Sequence, residues 1–185
     1  MKRYRVAILV GSVRRDSINR RLALALTKLG QEHFDFAEVR IDDLPFANPD
    51  LEGDLPEPVR RLRREIGAAD AVLFVTPEYN RSVPGVLKNA IDWASRPYRA
   101  HSLGDKPGAV IGTSMGRIGT ATAQQHLRTI LAPLDVYLMG QPEGYIVYTP
   151  GLIDDAGTVT DGAVREFLQQ YIDQFAAWVA RVARA

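Results

Sequence analysis

The chain has 185 residues, of which 46% are hydrophobic, and this is enough for one domain with a substantial buried core. Its 23 basic and 22 acidic residues leave a formal net charge of +1, so no global field favours nucleic acid or an anionic membrane as a partner. Cysteine is absent, which excludes disulfides, thiolate nucleophiles and redox-active thiols. Two-electron chemistry in such a chain requires a bound cofactor.

Near the N terminus, the apolar run at residues 6–10 is too short for a signal peptide or a membrane span. We therefore expect a cytoplasmic protein with a single domain over residues 1–185. The chain has 3 histidines, and we expect no metal site. The same apolar run ends at Gly11 and is typical of a strand buried on both faces of a parallel sheet.

Further segments along the chain have the pattern of strands. Residues 34–41 alternate weakly, whereas residues 71–75 and 109–112 are compact apolar runs like the first. Another strand is predicted at residues 136–139. The segment 145–160 contains Pro, Gly and Asp, a composition that predicts a surface loop.

Apolar residues at helical spacing occupy the segments between these strands. A helix is predicted from Ser17 to Gly30, a second at residues 57–67, and a third from Pro84 to about residue 95. In the fourth helix, the side chains expected to face inward are Ile118, Ala121, Leu127, Ile130 and Leu131. The last helix has the clearest apolar stripe, formed by Val164, Phe167, Leu168, Tyr171, Ile172, Phe175, Trp178, Val179 and Val182.

Strands that alternate with helices predict an α/β fold, with a doubly wound parallel sheet covered by helices on both faces. Five strands fit the flavodoxin-like order 2-1-3-4-5. The alternative is a fragment of a dinucleotide-binding fold, which requires the pattern G-x-G-x-x-G after the first strand. The first turn is instead Gly11-Ser12-Val13-Arg14-Arg15-Asp16-Ser17, and it also lacks the lysine of a P-loop.

This first turn has the residue types that bind a phosphate. Ser12, Arg14, Ser17 and Asn19 lie between a buried strand and the start of a helix. A helix N-terminus offers unpaired N–H groups, hydroxyls add neutral donors, and the planar guanidinium of Arg14 matches a phosphate. Taken alone, the same residues also fit a simple N-cap at Ser17 and a solvated Arg14.

Two later loops suit a flat ring. Residues 76–85 contain two prolines and a glycine that define the path of the backbone, and Tyr79 offers an apolar face for stacking. Residues 113–120 contain Gly116 and Gly119, which let the backbone approach a ligand. Each loop alone also fits an ordinary turn, but all three follow strands and converge at the carboxyl edge of the sheet. This convergence favours one binding site.

The turn described above, together with Ser17 and Asn19 and the long run from Thr76 to Trp93, resembles the NADPH-dependent FMN reductase family, which includes quinone, chromate and azo-dye reductases. The resemblance implies bound FMN, NADPH or NADH as co-substrate, and an assembly built on homodimers. It implies contacts to the FMN phosphate from Ser12, Arg14, Ser17, Ile18 and Asn19. It implies contacts to the flavin ring from Pro77, Glu78, Tyr79, Asn80, Ser114, Met115 and Gly116.

One departure from the family concerns assembly. Many members have two adjacent glycines, followed by small residues and an arginine, where this chain has Gly119-Thr120-Ala121-Thr122. The choice between a dimer and a tetramer therefore stays open. The third helix is apolar and aromatic around Ile91 and Trp93, and Asp92 and Trp93 are expected to serve either packing or the dimer contact.

The implied reaction passes hydride from NAD(P)H through FMN to a quinone, free flavin or another small oxidant such as chromate or an azo dye, with ping-pong kinetics. Such a reaction needs no catalytic acid, base or nucleophile from the protein, and His33, His101 and His126 are scattered along the chain. Arg81 and Arg117 are both candidates for the 2′-phosphate of NADPH.

Two alternative functions share this fold. A flavodoxin-type electron carrier would bind FMN without oxidising NAD(P)H, but the near-neutral charge of the chain argues against the acidic face that such carriers present to their partners. A flavin-free binding protein is the other alternative, because a fold alone does not determine function.

Overall fold

The computed structural model describes residues 3–98 and 100–183, so the predicted domain bounds at residues 1 and 185 lie outside it. The sheet has the strand order β2-β1-β3-β4-β5, as predicted, and β6 also pairs with β4. All of these pairings are parallel. The strands are β1 (Tyr4–Val10), β2 (Phe34–Glu38), β3 (Ala71–Val75), β4 (Pro107–Ser114), β5 (Tyr137–Leu138) and β6 (Gly144–Val147), and the α-helices are α1 (Ile18–Leu29), α2 (Glu57–Gly67), α3 (Gly85–Ala94), α4 (Ala121–Leu131) and α5 (Gly162–Val182).

Apolar side chains are buried on both faces of the sheet. Neighbouring side chains of a strand point to opposite faces, so Ile8 of β1 packs in the cluster with α1 and α5, whereas Leu9 packs in the cluster with α2, α3 and α4. This explains why β1 and β3 are continuous apolar runs in the sequence. No helix in residues 3–98 or 100–183 is long and apolar enough to span a lipid bilayer.

The fifth position of the sheet differs from the prediction of one strand at residues 136–139. Two short strands occupy it, because β5 pairs with the beginning of β4 and β6 pairs with its end. Pro142 lies between them and has no N–H to donate to the ladder. Gly144 then permits close pairing, since a side chain there would overlap Ile111.

The prediction of a surface loop at residues 145–160 is wrong for much of that segment. It begins within β6, and four of its later apolar side chains are less than 10% exposed: Tyr148 (6%), Leu152 (5%), Ile153 (0%) and Val159 (8%). They pack in the same cluster as α1 and α5. The Pro, Gly and Asp residues mark the turns of this segment and conceal the apolar residues between them.

Two expectations about apolar helix residues also fail. Ile118 is 44% exposed and lies in the turn before α4, so it does not face inward. Ile91 and Trp93 are each 1% exposed within the chain itself, and the Trp93 indole donates to the Pro45 carbonyl (2.8 Å). The packing alternative is therefore confirmed for Trp93, and the dimer contact expected from these two side chains is wrong.

A buried amide connects α1 to the end of β4. The Asn19 side chain donates to the Thr113 carbonyl (2.9 Å) and accepts from the Thr113 N–H (3.0 Å). Asn19 is 2% exposed and Thr113 is 0% exposed. Both bonds therefore lie in a region of low dielectric, where a polar group without a partner is costly.

We predict that Asn19→Ala lowers the free energy of unfolding by about 2–6 kcal/mol, because it leaves the Thr113 N–H and carbonyl without partners and each such buried group costs about 1–3 kcal/mol. Urea unfolding of the flavin-free protein measures this. The matched control is Arg20→Ala, whose half-exposed pair with Glu38 (3.0 Å) contributes at most about 1 kcal/mol. Equal stability losses in the two variants would contradict the role of Asn19.

Candidate functional site

Three loops at the carboxyl edge of the sheet pack against one another: the first loop (11–17), the second loop (76–84) and the third loop (115–120). The Gly11 N–H donates to the Val75 carbonyl (2.9 Å), and a Cβ on Gly11 would lie 3.2 Å from Pro77. A side chain on Gly112 would overlap the carbonyl of Thr76 and the hydroxyl of Thr120. The structure thus brings the three predicted loops together.

The first loop contains a run of backbone N–H groups that have no hydrogen-bond partner in the described part of the chain. Within the described chain, no backbone N–H from Ser12 through Asn19 has a hydrogen-bond partner. The segment leads into the N-terminus of α1, where the helix dipole adds partial positive charge. Such an arrangement binds an anion.

The side chains predicted for this loop fall into two groups. Ser12 (5% exposed) and Ser17 (4%) are buried, and Ser17 is also the N-cap because its oxygen accepts from the Arg20 N–H (3.2 Å). The Ser17 hydroxyl hydrogen remains able to donate. Arg14 is exposed and has no partner among the described residues. These three side chains are available to an anion.

Ile18 and Asn19 are available only through their backbone. Ile18 is the first residue of α1, and its half-buried side chain packs against the core. The Asn19 amide is engaged by Thr113, as described above. Each residue therefore offers an N–H to a ligand, while its side chain stabilises the fold.

The second loop is a two-residue hairpin turn fastened to α4. Tyr79 and Ser82 exchange two backbone hydrogen bonds of 3.0 Å each. The Glu78 carboxylate accepts from the Ala123 N–H (3.1 Å) at the N-terminus of α4, and its side chain is only 10% exposed. Ser82 Oγ and His126 Nδ1 share a hydrogen bond of 2.8 Å. Glu78, predicted as a ring contact, thus positions the loop with its carboxylate.

The remaining residues predicted in this loop are open to a ligand. Tyr79 is 48% exposed, and the backbone N–H groups of Glu78 and Asn80 have no partner in the part of the chain described here. Pro77 contacts the first loop through Gly11. This combination offers an apolar ring and backbone donors side by side.

The third loop is held by the Ser114 hydroxyl. It donates to the Gly119 carbonyl and accepts from the Gly116 N–H (3.2 Å). Gly119 has a φ of 59°, and a Cβ there would lie 2.9 Å from the backbone of Tyr145, so only glycine fits without strain. Met115 is 71% exposed, and the space around Gly116 is open apart from Ser114.

Each of the three loops carries exposed apolar side chains. They are Val13 (55% exposed), Tyr79 (48%), Met115 (71%) and Ile118 (44%). Sequence reasoning did not assign Val13 and Ile118 to the site, although an apolar residue within an otherwise polar loop is a usable signal. Exposed apolar side chains and unpaired backbone donors thus occur on the same group of packed loops, the combination that a flat ring carrying a phosphate requires.

A polar cluster stands beside the third loop. The Tyr145 hydroxyl donates to Glu143 (2.7 Å) and accepts from the Gln125 amide (3.0 Å). Burial and the hydrogen bond to Glu143 raise the pKa of Tyr145 above its ordinary value. The phenol therefore stays protonated and neutral at physiological pH.

The described histidines do not form a catalytic group. His126 is bonded to Ser82, His33 pairs with Asp173 on α5, and His101 packs against Gly104. The arrangement of the three loops therefore suits binding and orientation of a cofactor that carries the chemistry itself.

Comparison with known proteins identifies this cofactor. The family model for NADPH-dependent FMN reductases matches residues 4–149. The chain is 51% identical over 175 residues to a 2-hydroxy-1,4-benzoquinone reductase of Burkholderia sp., with 95% of this chain and 96% of the relative covered.

Solved structures agree with this assignment. FerB, a flavoenzyme NAD(P)H:(acceptor) oxidoreductase from Paracoccus denitrificans, superposes with a TM-score of 0.93 at 47% identity, covering 96% of this chain and 98% of FerB. A flavodoxin from Pseudomonas aeruginosa has a TM-score of 0.58 at 21% identity, covering 95% of this chain and 99% of its own, and shares the fold alone. The chain therefore belongs to the NADPH-dependent FMN reductase family, and it is an FMN-dependent NAD(P)H oxidoreductase rather than a flavodoxin-type electron carrier.

Proposed function

We propose that the protein holds FMN across the three loops and transfers hydride from NAD(P)H to a quinone. The observation that carries this proposal is the run of unpaired N–H groups from Ser12 to Asn19, on a loop packed against two others that carry exposed apolar side chains. FMN, when bound, accepts a hydride and passes it on. A quinone is the acceptor class named for the Burkholderia relative. Free flavin, chromate and azo dyes are further candidate acceptors.

The described contacts support separate roles for the site residues. We assign the FMN phosphate to the N–H groups of the first loop and α1, with the Ser12 and Ser17 hydroxyls and the Arg14 guanidinium. We assign the ring to Pro77, Tyr79, Asn80, Met115 and Gly116. Glu78 and Ser114 hold their loops in place, because their side chains bond α4 and Gly119.

Purification and a visible spectrum test the proposal directly. A yellow protein that oxidises NAD(P)H rapidly in the presence of a quinone supports it. A colourless protein that does not take up added FMN contradicts it and favours a flavin-free binding protein.

The kinetics follow from the shape of the site. We expect the dinucleotide and the acceptor to reach the flavin in turn, because the exposed apolar side chains of Val13, Tyr79, Met115 and Ile118 belong to the three loops that we assign to FMN. We predict ping-pong kinetics, with parallel double-reciprocal lines when NAD(P)H is varied at several fixed quinone concentrations. Intersecting lines would mean that both substrates bind at the same time, and they would exclude a single binding site that the two substrates share.

Arg14 provides a test of the phosphate assignment. Hydrogen bonds to charged groups contribute about 1.5–3 kcal/mol, so Arg14→Ala should weaken FMN binding by about tenfold to a hundredfold. Riboflavin has no phosphate, and its affinity should hardly change. Titration of both flavins into the flavin-free protein measures the difference, and the equally exposed neighbour Arg15 supplies the control variant Arg15→Ala. Equal losses for the two flavins would show that Arg14 does not bind the phosphate.

We also propose that the chain is one FMN-binding domain over residues 1–185 and that it works in the cytoplasm, where NAD(P)H is supplied. The family model ends at residue 149, but α5 packs in the same apolar cluster as α1. This shared core supports a single unit.

The assembly is proposed to be a homodimer or a larger assembly of dimers. An exposed apolar side chain on a rigid backbone supports this: Phe46 is 89% exposed, while Pro45 and Ala47 are hydrogen-bonded by Asn89 at 2.9 and 2.8 Å. Such aromatic side chains are typical of protein interfaces. Light scattering at micromolar concentration should give at least a dimer mass, and Phe46→Ser should shift it towards the monomer. If the wild-type protein is monomeric, the proposed dimer is wrong. If Phe46→Ser remains dimeric, Phe46 does not lie in the dimer interface.

A further inference from the structure

The turn at the tip of the second loop has an unusual backbone conformation. Asn80 and Arg81 have φ values of 49° and 64°, and the two hydrogen bonds between Tyr79 and Ser82 close a hairpin turn around them. Two central residues with positive φ are typical of a type I′ turn, in which the second is preferably glycine. Arg81 occupies that glycine position.

Arg81 stands apart from the other described residues with positive φ. Apart from glycines, these are Asn80, Asp105 and Asp135, whose short polar side chains tolerate the left-handed conformation. A long side chain such as arginine has no such compensation. The backbone at Arg81 is therefore strained, and strain of this kind is concentrated at functional sites.

Structural contacts do not explain why arginine stands at this position. Its side chain is 70% exposed and forms an ion pair with Glu78 at 3.4 Å. Glu78 also accepts from the Ala123 N–H, and ion pairs with an exposed partner contribute little to stability. The guanidinium thus extends from the same exposed turn as Tyr79, with its charge largely available.

We propose that Arg81 binds a phosphate of the nicotinamide dinucleotide, an inference that rests on the proposed function. Of the two substrates, a quinone is uncharged, whereas the dinucleotide carries a pyrophosphate and, in NADPH, a 2′-phosphate. The FMN phosphate is assigned to the first loop, so a cation on the second loop faces a different anion. A planar guanidinium is the side chain best matched to phosphate.

Arg117 is the competing cation at this edge. It is exposed on the third loop, has no partner among the described residues, and its φ is not positive. The backbone of Arg117 therefore carries no strain that would point to a functional role. The geometry therefore favours Arg81.

The test separates the strain of Arg81 from its binding role. In the flavin-loaded protein, Arg81→Gly should raise the melting temperature by about 2–4 °C, because glycine adopts positive φ without strain. The same variant should bind NADP⁺ about tenfold more weakly, which is the loss of about 1.4 kcal/mol. Calorimetric titration of the oxidised dinucleotides measures affinity without turnover. Arg81→Lys, which keeps the charge but loses the planar fork, should bind with intermediate affinity.

NADP⁺ and NAD⁺ distinguish the two phosphates. Weaker binding of NADP⁺ alone assigns Arg81 to the 2′-phosphate, and equal weakening of both assigns it to the pyrophosphate. Arg64→Ala, on the part of α2 remote from the loops, controls for the loss of one surface charge and should change neither affinity.

Three results would overturn the proposal. If Arg81→Gly binds both dinucleotides with unchanged affinity, Arg81 does not belong to the site. If Arg64→Ala loses as much affinity as Arg81→Gly, the effect comes from the net charge of the protein and not from a contact of Arg81. A loss in Arg117→Ala without one in Arg81→Gly transfers the role to Arg117. A wild-type protein that binds FMN but neither dinucleotide overturns the proposed function together with this inference.

Discussion

The site depends on the parallel pairing of β1, β3 and β4. Val10 lies opposite Val75 and Val75 opposite Ile111, so the first and second loops begin side by side, while β4 continues beyond them to Ser114 before the third loop begins. The buried amide of Asn19 then ties α1 to Thr113. Without this pairing, the run of donors in the first loop would not lie next to the second and third loops. The low dielectric around the amide makes its two bonds difficult to replace by water.

Several residues chosen from sequence as ligands act mainly on the protein itself. Asn19, Glu78 and Ser114 each direct their side chain to another loop, strand or helix. The groups left open to a ligand are largely backbone N–H groups, together with the exposed side chains of Arg14 and Tyr79. Such a division is physically reasonable, because backbone donors are rigid only when side chains hold the loops in place. It also suits a reaction in which the protein orients a cofactor and supplies no nucleophile.

The proposed role of Arg81 sets stability against function at the second loop. Glu78 and Ser82 each form a hydrogen bond to α4, and these bonds hold the loop in place. Arg81, at the tip of the loop, has a left-handed backbone conformation. The structure tolerates the strained backbone of Arg81 because the surrounding contacts determine the turn. The Arg81 side chain is thereby kept exposed beside Tyr79. Gly119 of the third loop also has a positive φ, but there a side chain would come too close to the Tyr145 backbone. At that position the chain has glycine, which avoids the strain.

The sequence by itself determined the alternation of strands and helices, the strand order, the N-cap at Ser17 and the three loops, because apolar periodicity and turn residues are local signals. Only the tertiary structure decided the division of the fifth strand, the burial of Tyr148 and the exposure of Ile118. It also decided that Asn19 bonds a residue 94 positions away. Such contacts join segments distant in the chain, and a local pattern carries no information about which backbone group a buried amide will meet or which apolar residue the core will leave uncovered.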